Sequence, residues 1–368
     1  MGFSEFQGNP RVVSALRAML AGERVPHALL FTGPRGIGKF TLARMFAQAA
    51  NCERLRDDFC GQCEPCRRTG LLANLQPLVA QGLAERGESA DAATVERVPL
   101  LVQPHPDVCA IVPDPVRLKS PVARPVIRMG QLRAVQRAAS FKPLGRRRVF
   151  LLDGAETMRW DYANIFLKVL EEPPESAIFI LTAPNANQLL TTIVSRCLHF
   201  YLAPMLAEDV EKFLKGRNDW KPAERRLAAQ LSGGSPGAAL SLDLEESARL
   251  RMEVFRVLKL AVEGQAMSTV FAQTSQLSKA ESAPFENILE LFYSLLTDLL
   301  ELSYGPSDAA LRNPDLRREL ESLGKTANLN WFRTTVGKLD TLHARLRRNI
   351  NRNLGLDALA ASLAAGGR

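Results

Sequence analysis

Two groups of residues in this chain have the types and spacing to do chemistry. The first is Gly33-Pro34-Arg35-Gly36-Ile37-Gly38-Lys39, which matches a phosphate-binding loop as far as its lysine. Glycines in such a loop let backbone N–H groups close around phosphate oxygens, and the lysine brings a positive charge to them. An apolar run over residues 28–31 leads in and a helical pattern over 41–50 leads out, the strand–loop–helix context the loop requires. The next position should carry a Ser or Thr hydroxyl for Mg²⁺, and it is Phe40. Thr41 is one residue further along the helix, turned by about 100°. Gly33, Gly36, Gly38 and Lys39 therefore predict a phosphate cradle that has lost a metal ligand.

The second group is Cys52, Cys60, Cys63 and Cys66, a C-x7-C-x2-C-x2-C array. Overlapping CxxC steps aim three thiolates at a common centre, and the fourth comes from the end of the preceding helix. Four thiolates in a tetrahedron suit Zn²⁺ with no open position, hence a structural metal. Reduced thiols, a Cys60/Cys63 redox pair and an iron–sulfur cluster are the alternatives. Cys109 and Cys197 read as small packed residues at strands.

A third feature completes the nucleotide question. The apolar run 149–152 ends in Asp153, where phosphate-loop folds place the acid that orients Mg²⁺. Gly154 follows, where many hydrolases carry a second acid that polarises water. Glu156 reads as a solvated or capping carboxylate.

These residues need elements to hold them. Short apolar runs at 28–32, 108–112, 149–153, 178–182 and 198–202 alternate with helical patterns, as expected for parallel strands buried on both faces. Residues 11–21 carry a helical spacing of apolar positions. Strand signals stop after Pro204. Short helices are expected over 207–240 around Ser232-Gly233-Gly234-Ser235-Pro236-Gly237, and long helices from about 244 onward, such as 285–302 and 331–348. The reading is an α/β domain followed by an all-α region. Residues 71–103 show no clear strand signal and are expected to form a surface insertion, part helical and part mobile.

The chain has 368 residues, 46% hydrophobic and 23% charged, with a formal net charge of +8 and a sequence pI of about 9.4. That composition excludes a disordered chain and allows an acidic or nucleic-acid partner. No apolar run reaches membrane-spanning length, no secretory leader is evident, and six cysteines are expected to be reduced or metal-bound in the cytoplasm.

The order and spacing of the phosphate loop, the four cysteines, His105-Pro106-Asp107, Leu170-Glu171-Glu172-Pro173-Pro174 and Ser195-Arg196-Cys197 resemble bacterial replicative clamp-loader subunits of the AAA+ class. The resemblance runs over most of residues 1–240 and includes Arg347-Arg348-Asn349-Ile350-Asn351. It implies an AAA+ P-loop domain over 1–203, with a zinc module at about 50–68 and the insertion at about 71–103. A small helical lid over 204–242 and a C-terminal helical collar domain over 243–368 would follow. It also implies assembly with tau/gamma and delta subunits, opening of a ring-shaped sliding clamp and its placement on primed DNA within a DNA polymerase III complex.

The family includes a working tau/gamma ATPase and a branch with a degenerate site. Phe40, Gly154 and Gly237, the last where active members carry an arginine on the γ-phosphate, point to the degenerate branch. Arg196 is implied to be an arginine finger that reaches a neighbouring subunit's ATP; a surface salt bridge is its ordinary alternative. An active tau/gamma-type ATPase and a zinc-dependent DNA-binding adaptor on a dead scaffold are the rival functions. Whether ATP or ADP still binds is left open.

Other candidates read as structural. Arg146-Arg147-Arg148 is expected to be a solvated loop end rather than a DNA contact. His105 and Asp107 suit a turn, with no nucleophile or metal signature beside them. Arg345, Arg347, Arg348 and Arg352 sit on or just after a helix with one packed face, which favours subunit packing over phosphate binding. Phe141, Trp160, Trp220 and Trp331 form no stacking platform for bases.

Overall fold

The computed structural model describes residues 2–87, 91–115, 125–217, 219–278, 285–305, 311–324, 328–345 and 351–366. Arg347, Arg348 and the side chain of Trp160 lie outside the described residues. The chain divides into two compact units, one of residues 1–206 with 235–238, the other of 207–234 with 239–368.

The first unit is built on a six-stranded sheet. Its strands are β1 (Ala28–Thr32), β2 (Val102–His105), β3 (Val108–Ile111), β4 (Arg148–Leu152), β5 (Ala177–Ala183) and β6 (Leu198–Tyr201), in the spatial order β2-β3-β4-β5-β1-β6. Every neighbouring pair is parallel except β2–β3. In the four inner strands, side chains alternate between two buried faces. Leu29, Phe31, Val149, Leu151, Ile178 and Ile180 pack into one core; Ala28, Leu30, Phe150, Leu152, Phe179 and Leu181 pack into the other. Helices cover both faces of β1, β3, β4 and β5, which is why those strands read as apolar runs. Strand β6, expected to be buried in the same way, is instead largely exposed, because it lies at the edge of the sheet.

The helices of this unit are α1 (Pro10–Ala21), α2 (Lys39–Ala50), α3 (Glu64–Gly70), α4 (Leu75–Arg86), α5 (Ala92–Arg97), α6 (Met129–Ala139), α7 (Trp160–Glu171) and α8 (Thr191–Val194). In α6, Leu132, Val135 and Ala139 fall on one face and are buried. Helix α1 opens with Pro10 at its first position. Asn9 just before it exchanges two hydrogen bonds with the backbone of Ala203, tying the chain's start to the end of β6.

Among the described residues the second unit is helical: α9 (Ala207–Leu214), α10 (Pro222–Leu231), α11 (Pro236–Leu240, largely in the first unit), α12 (Leu244–Val262), α13 (Met267–Ser278), α14 (Phe285–Tyr304), α15 (Arg317–Gly324), α16 (Leu329–Arg345) and α17 (Arg352–Gly366). A single core of Val254, Leu258, Ile288, Phe292, Leu295, Leu320, Leu339 and Leu363 joins the long helices. Trp331 is buried within it and donates its indole N–H to the carbonyl of Leu363, 3.0 Å away. No described helix is long and apolar enough to cross a membrane. The fold class is the expected one, an α/β parallel-sheet domain with a P-loop followed by an all-α region.

Three further local expectations are corrected. Residues 71–103 were expected to lack a strand, yet β2 begins at Val102. It is a short antiparallel edge strand containing Pro104, and an edge position tolerates the missing N–H. The same segment is more than a surface insertion. Leu75, Leu78, Val79 and Leu83 of α4 pack on the sheet core, and Arg86 is buried against Asp114 at 2.7 Å. Finally, Arg148 is not part of a solvated loop end. It starts β4, and its guanidinium bonds Asp107 and the Ala138 carbonyl. Asp107 is itself buried, accepting from the N–H groups of Leu144 and Gly145, so the His105–Asp107 turn is structural as expected.

The Arg86–Asp114 pair is almost wholly inaccessible to solvent. Removing one partner strands the other charge in a low dielectric, which costs several kcal/mol. Arg86→Met should lower unfolding stability by about 3 kcal/mol in urea denaturation. An unchanged midpoint would mean that Arg128, 3.6 Å from Asp114, holds the carboxylate alone.

Candidate functional site

The phosphate loop runs from the end of β1 to the start of α2. Gly33 has φ 144° and a Cβ there would meet the Leu202 carbonyl oxygen at 2.4 Å; Gly36 has φ 76° and a Cβ would meet the Ala238 nitrogen at 2.5 Å. Both glycines are thus required by backbone angle and by close approach. The Gly36 carbonyl accepts from the N–H of Gly237 at 2.8 Å, so residues 235–238 lie on the crest of the loop. Lys39 turns back on the loop and donates to the carbonyls of Gly33 and Pro34 at 2.7 and 2.8 Å. Burial pulls its pKa below the usual lysine value, partly offset by Asp153 and Glu156.

Phe40 is half-buried and packs against the apolar cluster of α2 and the sheet. Thr41 is exposed. Asp153 follows β4, and its carboxylate accepts a 2.6 Å hydrogen bond from the hydroxyl of Thr182 on β5. That hydroxyl oxygen in turn accepts from the N–H of Gly154 at 3.1 Å. Sequence reasoning missed Thr182; a lone hydroxyl near the end of an apolar strand was the signal that could have found it.

The cysteines converge. The sulfurs of Cys52, Cys60, Cys63 and Cys66 all lie within 4.8 Å of one another. Cys52 follows α2, Cys60 and Cys63 lie on the loop before α3, and Cys66 is in the first turn of α3. Backbone N–H groups of Leu55, Gln62 and Cys63 point at sulfurs, at 3.4 Å to Cys52 and 3.4 and 3.3 Å to Cys60. Tetrahedral ligation at about 2.3 Å puts sulfurs about 3.8 Å apart, so this donor set could hold a metal ion of zinc's size. The module is anchored around that centre. Gln48 donates to the Cys66 carbonyl at 2.8 Å, the Asn51 side chain accepts from the Arg147 N–H at 3.0 Å, and Phe59 packs edge-on against Phe3.

Arg196 lies between α8 and β6. Its guanidinium donates to Glu171 at the end of α7, 2.8 Å away, and to the Thr192 carbonyl at 2.9 Å. The side chain is 35% exposed. Strand β6 runs parallel to β1, with Leu29 opposite Leu198 and Thr32 opposite Tyr201. Arg196 therefore enters the sheet at the end opposite Gly33. The four steps from Leu198 to Leu202 alone span roughly 13 Å, with the turn at Arg196 beyond them. The structure brings Gly33, Gly36, Gly38, Lys39 and Asp153 to one end of the sheet. Arg196 stands at the other, and the four cysteines form a separate cluster.

The comparisons with known proteins follow the same two-part layout. A family described as "DNA polymerase III, delta subunit" matches residues 8–206, and one described as "DNA polymerase III, delta subunit, C terminal" matches residues 246–363. The Pseudomonas aeruginosa DNA polymerase III subunit delta' is 28% identical over 95% of this chain and 96% of its own length. The Buchnera aphidicola subunit gamma is 28% identical over 58% of this chain, and the Escherichia coli subunit tau 29% over 65%. The chain spans only 48% and 32% of those two relatives' lengths.

In metal-free, reduced protein the thiols should differ in reactivity. Hydrogen bonds, chiefly from the Cys63 N–H, lower the Cys60 pKa to about 6, so its reactive thiolate accumulates as pH rises through that value. Burial pushes Cys66 up, and Cys109 and Cys197 to about 12. Alkylation at pH 7 followed by peptide mapping should find Cys60 modified first and Cys109 untouched until the chain unfolds. Modification of Cys109 ahead of Cys60 would contradict this order.

Proposed function

The chain belongs to the DNA polymerase III delta-subunit family, and on that footing we propose that it serves the clamp loader as a delta-prime-type, non-hydrolysing subunit. It would assemble with tau/gamma and delta subunits, help open the sliding clamp and place it on primed DNA. Residues 204–242 would act as the lid and 243–368 as the collar that packs on partner subunits.

One observation carries the division of labour: Arg196 lies at the end of the sheet away from its own phosphate loop. An exposed guanidinium there serves a site on another molecule, and a planar guanidinium suits γ-phosphate oxygens and the charge that develops on them. The chain's own loop fits the complementary role. With half-buried Phe40 packed against the core and Gly154 after Asp153, position 40 offers no metal-binding hydroxyl and no second acid directly follows Asp153; Glu156, which acts on Lys39, comes three residues later. Gly33, Gly36, Gly38 and Lys39 keep the means to hold a phosphate, which would require Lys39 to leave the Gly33 and Pro34 carbonyls.

The four cysteines would hold one structural zinc. The two N–H···S contacts to Cys60, and the burial of Cys52, Cys63 and Cys66, support a closed thiolate site without a substrate position. Zinc would deprotonate all four thiols and fix the 51–66 loop against α2.

In complex reconstituted with tau/gamma and delta, Arg196→Ala should lower DNA-stimulated ATP hydrolysis and clamp loading while assembly is unchanged. The loss should be partial, because other subunits use their own arginines. An unaltered rate would remove the finger assignment. ATP turnover by the isolated chain that vanishes in Lys39→Ala would instead favour a tau/gamma-type ATPase. Metal analysis should give about one zinc per chain, lost in Cys63→Ser; a metal-free chain indifferent to chelators would exclude the zinc site.

A further inference from the structure

The contact of Arg196 with Glu171 assigns a role to a residue that the motifs alone leave idle. An arginine on a surface turn has four rotatable side-chain bonds, and a guanidinium that must meet a phosphate on another molecule gains from being held in advance. Here it is held at two points. One terminal nitrogen donates to Glu171 Oε1 at 2.8 Å, and the other donates to the Thr192 carbonyl at 2.9 Å. A guanidinium has five N–H donors. Two are engaged by these partners, so three remain to meet an anion.

The partners come from separate elements that the fold fixes. Glu171 closes α7, whose Ala163, Phe166, Val169 and Leu170 are buried against the sheet. Thr192 belongs to α8, anchored by buried Ile193. The carboxylate is therefore mounted on a packed helix end, 25 residues from the arginine it holds. Both side chains are well exposed, at 35% and 49%. A pair of that exposure contributes little to stability, so folding alone gives no reason to hold the guanidinium there.

We propose that Glu171 is a positioning residue for Arg196: its carboxylate fixes the guanidinium so that the donors left over face a neighbouring subunit's nucleotide phosphate. The inference rests on the finger reading above. It deepens that reading by naming the residue through which this chain controls the finger. It also accounts for a carboxylate beside a group meant for an anion. Glu171 engages one terminal nitrogen only, through a single oxygen, and leaves the rest of the fork to the phosphate.

The test uses the complex reconstituted from this chain with tau/gamma and delta, carrying Glu171→Ala, Glu171→Gln, Arg196→Ala or Glu171→Ala with Arg196→Ala. DNA-stimulated ATP hydrolysis is measured as kcat and KM. Glu171→Ala should remove at least about half of the kcat that Arg196→Ala removes, as expected when a reacting group is misplaced rather than deleted. KM for ATP should stay unchanged, since the nucleotide is bound by the neighbour. Glu171→Gln should recover most of the loss, because the carboxamide oxygen accepts the same hydrogen bond. In the Arg196→Ala background, Glu171→Ala should change nothing further.

If Arg196→Ala slows hydrolysis and Glu171→Ala does not, the positioning role is wrong and the finger stands. A loss from Glu171→Ala that is equal with and without Arg196, or that Glu171→Gln fails to recover, marks a structural role and overturns the inference. Faster hydrolysis in Glu171→Ala would mean that the pair restrains the finger, which also overturns it. If Arg196→Ala has no effect, the finger reading itself falls, and the positioning role with it.

Discussion

A parallel sheet buried on both faces constrains everything else in the first unit. Its strand interiors are closed to chemistry, because Leu29 to Phe31, Val149 to Leu152 and Ile178 to Leu181 are packed on each side. Polar work is confined to strand ends, where backbone groups also run out of sheet partners. One end gathers the Gly33–Lys39 loop, Asp153 and Thr182. The other carries Arg196 at the entry to β6. Since β1 and β6 are parallel neighbours, these two ends are fixed apart by the length of the strands. A chain built this way has a cradle and an arginine that cannot meet in one molecule.

The departures from the phosphate-loop pattern have a packing counterpart. At position 40 a hydroxyl would have to stay polar and face the cradle, whereas phenylalanine gains by packing its half-buried ring against the apolar core. Asp153 keeps a partner in Thr182 and so remains satisfied without metal. Lys39, drawn into a half-buried position, finds the loop's own carbonyls. Asp153 and Lys39 thus each meet partners within the chain itself. The loop is stable as a structural element, with Gly36 wedged under residues 235–238.

The segment between the cysteine array and β2 illustrates how a polar pair can bind an apparent appendage to a core. Helix α4 has only a weak apolar face, but Leu75, Leu78, Val79 and Leu83 still find the sheet-side cluster. Arg86 at its end then enters the interior to meet Asp114, with Arg128 close by. Buried charges of this kind add little net stability over an apolar substitute, yet they penalise any other placement of the helix.

The sequence by itself determined the elements whose signals are local. Four of the six strands, β1, β3, β4 and β5, are built on continuous apolar runs, and a run of four or more such residues bounded by turns can be read without knowing its neighbours. The glycine loop and the cysteine spacing were legible for the same reason: the phosphate cradle is a backbone conformation, and four thiols within fifteen positions are close whatever the fold. Strand β2 was not legible, because Val102-Gln103-Pro104-His105 pairs on one side only and its pattern is broken by proline. Tertiary structure alone decided the side-chain partnerships across long separations: Asp153 with Thr182, Arg86 with Asp114, Arg148 with Asp107 and Arg196 with Glu171. Charge and hydrogen-bonding capacity are visible in a sequence. Which acceptor a donor meets depends on strand order and helix placement, and those are set by the burial of two sheet faces at once.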